Sequence, residues 1–189
     1  MDKILLVCSS IKGTKVFAEY LKDIGYNNID AESNGASARR RLLHDEYSLI
    51  IIDTPLIDEF GNELAVKITQ QGITGVILIT KSENADMIGA KLEQYGVFVI
   101  PKPFSKSIFY QGVRFVFTSL RRVNAMKNQQ DKLMKKVDDI RVVNRAKCIL
   151  IQYRNMTEEE AHKYLEKEAM DTRVSKRELA EKIINYYEV

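Results

Sequence analysis

The sequence predicts an α/β fold, a doubly wound parallel five-stranded domain, followed by a long coiled-coil helix and a C-terminal three-helix domain. Three observations predict it. Short apolar runs alternate with amphipathic stretches over the first hundred residues. Proline stops at Pro103 and glycine at Gly112, leaving nothing local to break a helix beyond them. Two capping signatures stand near the end of the 189-residue chain.

Residues 4–7 (ILLV), 49–53 (LIIID), 75–80 (GVILIT) and 97–100 (VFVI) are continuous apolar runs, the pattern of strands buried on both faces of a parallel sheet. Residues 28–33 (NIDAES) carry a weaker pattern and supply the strand that the alternation requires. Residues 14–24, 36–44, 63–71 and 85–95 show helical periodicity, and Gly25, Gly72 and Gly96 punctuate them. Strand–helix alternation of this kind gives a layered sandwich with right-handed crossovers.

The long helix is expected over residues 107–154, roughly 48 residues and about 70 Å at about 1.5 Å per residue. A heptad places Val116, Val123, Gln130, Val137 and Asn144 at one core position and Ser119, Met126, Leu133, Ile140 and Lys147 at the other. Its middle (Val123, Met126, Gln130, Leu133, Val137 and Ile140) reads as the seam of a homodimer, with Gln130 fixing register. The alternative is a helix packed on its own sheet at its start and exposed thereafter. Two further helices are marked by Thr157 with Glu160 and Ser175 with Glu178, each at capping-box spacing. Ala161, Tyr164, Leu165 and Ala169 share a face of one, and Leu179, Ala180, Ile183 and Ile184 a face of the other. Both faces are expected to fold onto the long helix around Ile149 and Leu150.

Composition, 45% hydrophobic and 29% charged, is that of soluble globular protein. The first apolar run is too short for a membrane span and lacks a cleavable-signal pattern, so a cytoplasmic location is the default expectation. Cys8 and Cys148 show no CxxC spacing, and with His44 and His162 they make no metal set. Both are read as reduced, buried thiols, and no metal or cofactor is expected. Divided near Gly112, the head holds 12 basic and 14 acidic residues and the tail 17 basic and 12 acidic. A polyanion partner for the tail follows. No histidine, cysteine or paired carboxylate sits in a nucleophile or acid–base arrangement, so no enzyme is expected.

Asp53 ends a buried run and is followed eight residues later by Gly61; Thr80 ends the next run, and Lys102-Pro103-Phe104 ends the last. On this alternating pattern, residues 1–112 resemble the receiver domains of two-component response regulators. The resemblance implies that Asp53 is the phosphoacceptor-like residue and that Thr80 and Lys102 hold a phosphoryl group. Two departures count against that chemistry. The acidic pair that holds magnesium reads Cys8 and Ser9, neither a hard anionic ligand, and Val99 stands where the family has an aromatic switch residue. Lys81, directly after Thr80, is a candidate to pair with Asp53 in place of a metal. The expectation is a receiver fold kept for dimerisation or partner binding, with slow or absent phosphorylation.

After a linker over residues 113–136, residues 137–189 contain IRVVNRAKCILIQYRNMTEEEAHKYLEKEAMDTRVSKRELAEKII, which is similar to the ANTAR domain of antitermination regulators. The match runs through Arg141, Ala146, Lys147, Ile149 and Leu150, then Glu160, Ala161, Leu165, Ala169 and Met170, then Leu179, Ala180 and Ile183. Cys148 replaces a common glycine and is expected to tighten helix packing. The resemblance implies a dimer that binds hairpins in nascent mRNA so that a terminator does not form. Hairpin recognition needs cations for phosphates and flat side chains for unstacked bases. Arg141, Arg145, Lys147, Arg154, Arg173, Lys176 and Arg177 are the candidate cations, expected to gather on one side, and Tyr153 is the candidate stacking surface. Tyr164, Tyr186 and Tyr187 are assigned to packing or a frayed end. A sensor or regulatory protein is a possible further partner. The rival reading is a DNA-binding response-regulator transcription factor, but the link over residues 171–174 lacks the turn glycine and the final helix lacks base-reading side chains.

Overall fold

The structure, a computed structural model, describes residues 2–188 and divides into two compact units, one ending at Ala125 and the other beginning at Met126. The first contains β1 (Ile4–Cys8), α1 (Ile11–Asp23), β2 (Ile29–Glu32), α2 (Gly35–Leu42), β3 (Leu49–Asp53), α3 (Asn62–Gln71), β4 (Gly75–Lys81), α4 (Ser82–Leu92), β5 (Phe98–Lys102) and the start of α5 (Lys106–Arg154). The five strands form one parallel sheet in the order β2-β1-β3-β4-β5. Chain order reverses between β1 and β3, and a crevice opens at such a switch point beyond the carboxyl ends of the strands. Cys8 and Asp53 are register partners at those ends.

Two apolar layers sandwich the sheet. Leu5, Val7, Ile50, Ile52, Val76 and Leu78 pack with Ala38, Leu64, Ile68 and Ile88. Ile4, Leu6, Ile51, Ile77 and Ile79 pack with Phe17, Leu21, Phe109, Val113 and Val116. Alternate residues of each strand therefore feed opposite layers, which is why these runs are apolar without interruption. Truncating any of these leucines or isoleucines to alanine is expected to destabilise by about 2–5 kcal/mol.

The ends of elements shift from expectation. β2 is short and only half buried, as suits an edge. β5 runs on through Pro101 to Lys102; it is also an edge strand, where a missing N–H is tolerated. The first unit extends past Gly112 because Val113, Val116, Phe117 and Leu120 pack on the sheet. At Gly75 an added Cβ would lie 2.4 Å from Val116 Cγ1, so β4 and α5 meet closely there.

The second unit comprises the rest of α5, α6 (Glu158–Asp171) and α7 (Lys176–Tyr187). Both capping boxes form, Thr157 with Glu160 and Ser175 with Glu178. Ala146, Leu150, Ala161, Leu165, Ala169, Leu179 and Ala180 make the core, with Tyr164, Ile183 and Ile184 against it. The four alanines let the helices approach closely. Cys148, expected to be buried and to tighten packing, is exposed; two residues beyond Ala146 it points about 200° away from that core residue. Among the described residues no helix is long and apolar enough to cross a membrane.

Candidate functional sites

At the sheet crevice, Lys102 Nζ lies 2.5 Å from Asp53 Oδ1 and directs its hydrogen bond to the Thr54 carbonyl at 3.0 Å. The Cys8 thiol donates to Asp53 Oδ2 at 3.3 Å and to the Ser10 carbonyl at 3.4 Å. Burial, with the Asp53 charge beside it, pushes the Cys8 thiol above its ordinary pKa, so the thiol is a donor here. Ser9 Oγ turns away to the Pro55 carbonyl, 3.2 Å distant. Thr80 is fully buried, and its hydroxyl has no hydrogen-bond partner among the described residues. Lys81, expected to pair with Asp53, is instead exposed; it stands two residues beyond Ile79, the register partner of Asp53, at the very end of β4. Lys102 takes that pairing.

These residues do not fit a magnesium ion. Both Asp53 oxygens face positive or donating atoms, and a protonated thiol and a diverted hydroxyl supply no hard anionic ligand. Among the described residues no three His, Cys, Asp or Glu side chains converge as a metal set.

The loop after Asp53 is fastened in a way that sequence reasoning missed. Asp58 accepts from the Gly35 and Ala36 N–H groups at 2.9 Å each, at the positive end of α2. Those amide bonds hold the Asp58 carboxyl below its usual pKa. Glu59 pairs with Arg39 at 2.7 Å. The partners lie some twenty residues away, and no local motif announces them.

In the second unit, six of the eight expected RNA-facing residues have partners within the unit. Lys147 meets Glu158 at 3.0 Å, Lys176 meets Glu166 at 2.5 Å, and Arg177 meets Asp138 and Asp139 at 2.6 Å and Glu181 at 2.8 Å. Arg145 pairs with Glu188, and Arg154 donates to the Tyr187 hydroxyl at 3.0 Å. Tyr153 stacks on Tyr187. Arg141 and Arg173 are exposed and make no ion pair among the described residues; Arg173 occupies the left-handed region at φ 54°.

The cations do not gather on one side. Lys147, Lys176 and Arg177 line an open groove of about 780 Å³ between α5, α6 and α7, whereas Arg145 pairs with Glu188 and Arg154 with Tyr187 and Tyr164. Arg145 and Lys147 are two residues apart on one helix, so their side chains point about 200° apart. Along α5, the seam residues Val123, Met126, Leu133, Val137 and Ile140 are exposed apolar side chains, with exposed Gln130 among them.

Two family models match the chain: the response regulator receiver domain over residues 4–114 and the ANTAR domain over residues 131–184. The chain belongs to the response regulator receiver domain family and carries an ANTAR domain after it. It is similar to the transcriptional regulatory protein PdtaR of Mycobacterium tuberculosis, strains CDC 1551 and H37Rv, at 24% identity over 167 residues, covering 88% of this chain and 82% of that protein. A two-component response regulator from Clostridium difficile superposes with TM-score 0.56 at 25% identity, over 66% of this chain and 99% of the other. An adenylate cyclase structure from Rhodopirellula baltica superposes with TM-score 0.63 at 15% identity, over 69% and 98%, and shares the fold alone. At the family level the chain is a regulator of the receiver-plus-ANTAR type.

Proposed function

We propose that the protein is a bacterial RNA-binding antiterminator: a dimer whose helical unit binds stem-loops in nascent mRNA and keeps a terminator hairpin from forming. The observation that carries this reading is the ANTAR match over residues 131–184, which coincides with the three helices of the second unit. In this reading it acts in the cytoplasm and does no covalent chemistry. Residues 1–112 form the receiver-like part, 113–136 the linking helix and 137–189 the RNA-binding part. The two copies meet through Val123, Met126, Gln130, Leu133, Val137 and Ile140, whose exposure leaves an apolar stripe to cover. Phosphorylation at Asp53 is not the switch in this reading, because the Cys8 thiol hydrogen-bonds one carboxylate oxygen and the Lys102 ammonium lies 2.5 Å from the other, with no acidic residue beside them, among the described residues, to hold a metal; Thr80 stands at the same crevice. Control then falls to a sensor or regulatory protein, or to none.

Arg141 and Arg173, free of internal partners among the described residues, are the first phosphate contacts. The paired cations Arg145, Lys147, Arg154, Lys176 and Arg177 exchange partners on binding. The test is binding of purified protein to hairpin RNA and to duplex DNA of equal length, at two salt concentrations and without a phosphodonor. Tighter binding to RNA, with the salt slope reduced by about 1 in Arg141→Ala and in Arg173→Ala, supports the reading. Equal or tighter binding to DNA overturns it and promotes a DNA-binding transcription factor.

A further inference from the structure

Tyr186 and Tyr187, assigned from sequence to packing or a frayed end, do pack, but on Tyr153 and on each other. Both lie within the last turn of α7, and neither joins the second unit's core. Instead Tyr187 stacks on Tyr153 of α5 with ring centroids 5.1 Å apart, and Tyr186 meets Tyr187 edge-on at 4.9 Å. Tyr153 is 56% exposed and Tyr186 78%. Three phenol rings from two helices are thus held against one another while two of them present much of their surface to water.

The neighbours say what such rings would meet. Arg154 donates to the Tyr187 hydroxyl at 3.0 Å and to the Tyr164 hydroxyl at 3.4 Å, and its guanidinium lies 5.5 Å from the Tyr164 ring centre. The same Arg154 lines an open groove of about 480 Å³ together with Lys163, Tyr164 and Lys167. Lys163 pairs with Glu159, and Lys167 makes no ion pair among the described residues. Aromatic faces beside a cationic groove are the two components of single-strand recognition, stacking for bases and positive charge for the phosphates between them.

We propose that Tyr153, Tyr186 and Tyr187 form a stacking platform for unpaired nucleobases of an RNA loop, with the adjoining phosphates in the groove of Arg154, Lys163 and Lys167. It rests on the RNA-binding reading and adds to it a subsite reaching beyond the matched ANTAR stretch, which ends at residue 184. Bases stacked inside a duplex hide their faces, so the platform selects loop nucleotides over stem. Arg154 joins the two parts, since it borders the groove and is hydrogen-bonded to the platform.

The experiment selects tight binders to the full chain from a pool of RNA stem-loops with randomised loops. An enriched RNA is then remade with abasic loop nucleotides. Binding of both RNAs is measured for wild type, Tyr153→Leu, Tyr186→Leu and Tyr186→Phe, with circular dichroism as the check on folding. Each leucine variant is expected to lose about 5- to 150-fold on the intact loop, Tyr186→Phe to bind like wild type, and all four proteins to bind the abasic RNA alike. Wild-type affinity in the leucine variants overturns the platform and leaves the RNA reading standing. An equal loss on intact and abasic loops also overturns it, because the defect is then not in base contact. Failure of the wild type to enrich any RNA overturns the RNA reading and the platform with it.

Discussion

The Cys8 thiol donates to Asp53 Oδ2 from the register position directly beside it on the neighbouring strand. A carboxylate at position 8 would face Asp53 across the same short gap, and two anions so close need a cation between them. Cys8→Asp is therefore expected to gain magnesium binding. Without magnesium the variant melts lower than wild type, and millimolar magnesium raises its melting temperature while leaving wild type unmoved. An equal magnesium shift in wild type contradicts this.

The Lys102–Asp53 pair is asymmetric, because the Asp53 side chain is 13% exposed and Lys102 32%. Removing the lysine strands a mostly buried charge; removing the aspartate leaves an ammonium that reaches water and keeps its bond to the Thr54 carbonyl. Lys102→Ala is expected to destabilise the first unit by about 2 kcal/mol, and Asp53→Ala by less. Urea unfolding followed by hydrogen exchange of the sheet amides measures the order of the two.

Asp58 joins the loop after β3 to the start of α2, and its pKa is lowered by the Gly35 and Ala36 amides. A carboxylate with a lowered folded-state value contributes stability that is complete above the unfolded value of about 3.9 and is lost as pH falls through the folded value. Asp58→Asn is expected to be less stable at neutral pH and to lose part of the decline below about pH 4. Stability curves that stay parallel down to pH 2 would exclude the contribution.

The two thiols differ. Cys8 is buried with a raised pKa and Cys148 is exposed. Ellman's reagent at neutral pH is expected to modify one thiol quickly and the second only on unfolding, and Cys148→Ser to abolish the fast phase. A fast phase that survives Cys148→Ser would mean that the first unit opens readily.

Leu133 lies at the middle of the exposed stripe on α5. A charge there opposes burial against a second copy, so Leu133→Asp is expected to sediment as a monomer where wild type sediments as a dimer, with helical content in the second unit retained. A monomeric wild type removes the coiled-coil proposal.

Much of the fold was legible because it rests on local rules. β1, β3 and β4 are apolar throughout since both faces are covered, and Thr157-x-x-Glu160 and Ser175-x-x-Glu178 cap their own helices. The site was legible in its residues and less so in their pairings. Asp53, Thr80 and Lys102 stand at strand ends, yet sequence could not choose between Lys81 and Lys102 as the aspartate's partner, since the two lysines are register partners at the ends of neighbouring strands and only the folded side chain of Lys102 turns to Asp53. Arg177 reads as a free cation until a fold brings Asp139, 38 residues earlier in the chain, and its neighbour Asp138 to it. Tyr153 reads as a stacking surface on its own, while Tyr186 and Tyr187 read as packing or a frayed end for the same reason, since Tyr187 meets Tyr153 only across two helices.

An aspartyl phosphate is a timer: the acyl bond hydrolyses, and the message expires with it. A thiol hydrogen bond and an ammonium contact at Asp53 have no such lifetime, for they form at once and do not decay. Under the proposed function, the duration of the response is then set outside that pocket, by how many copies the cell holds and how long each bound transcript lasts.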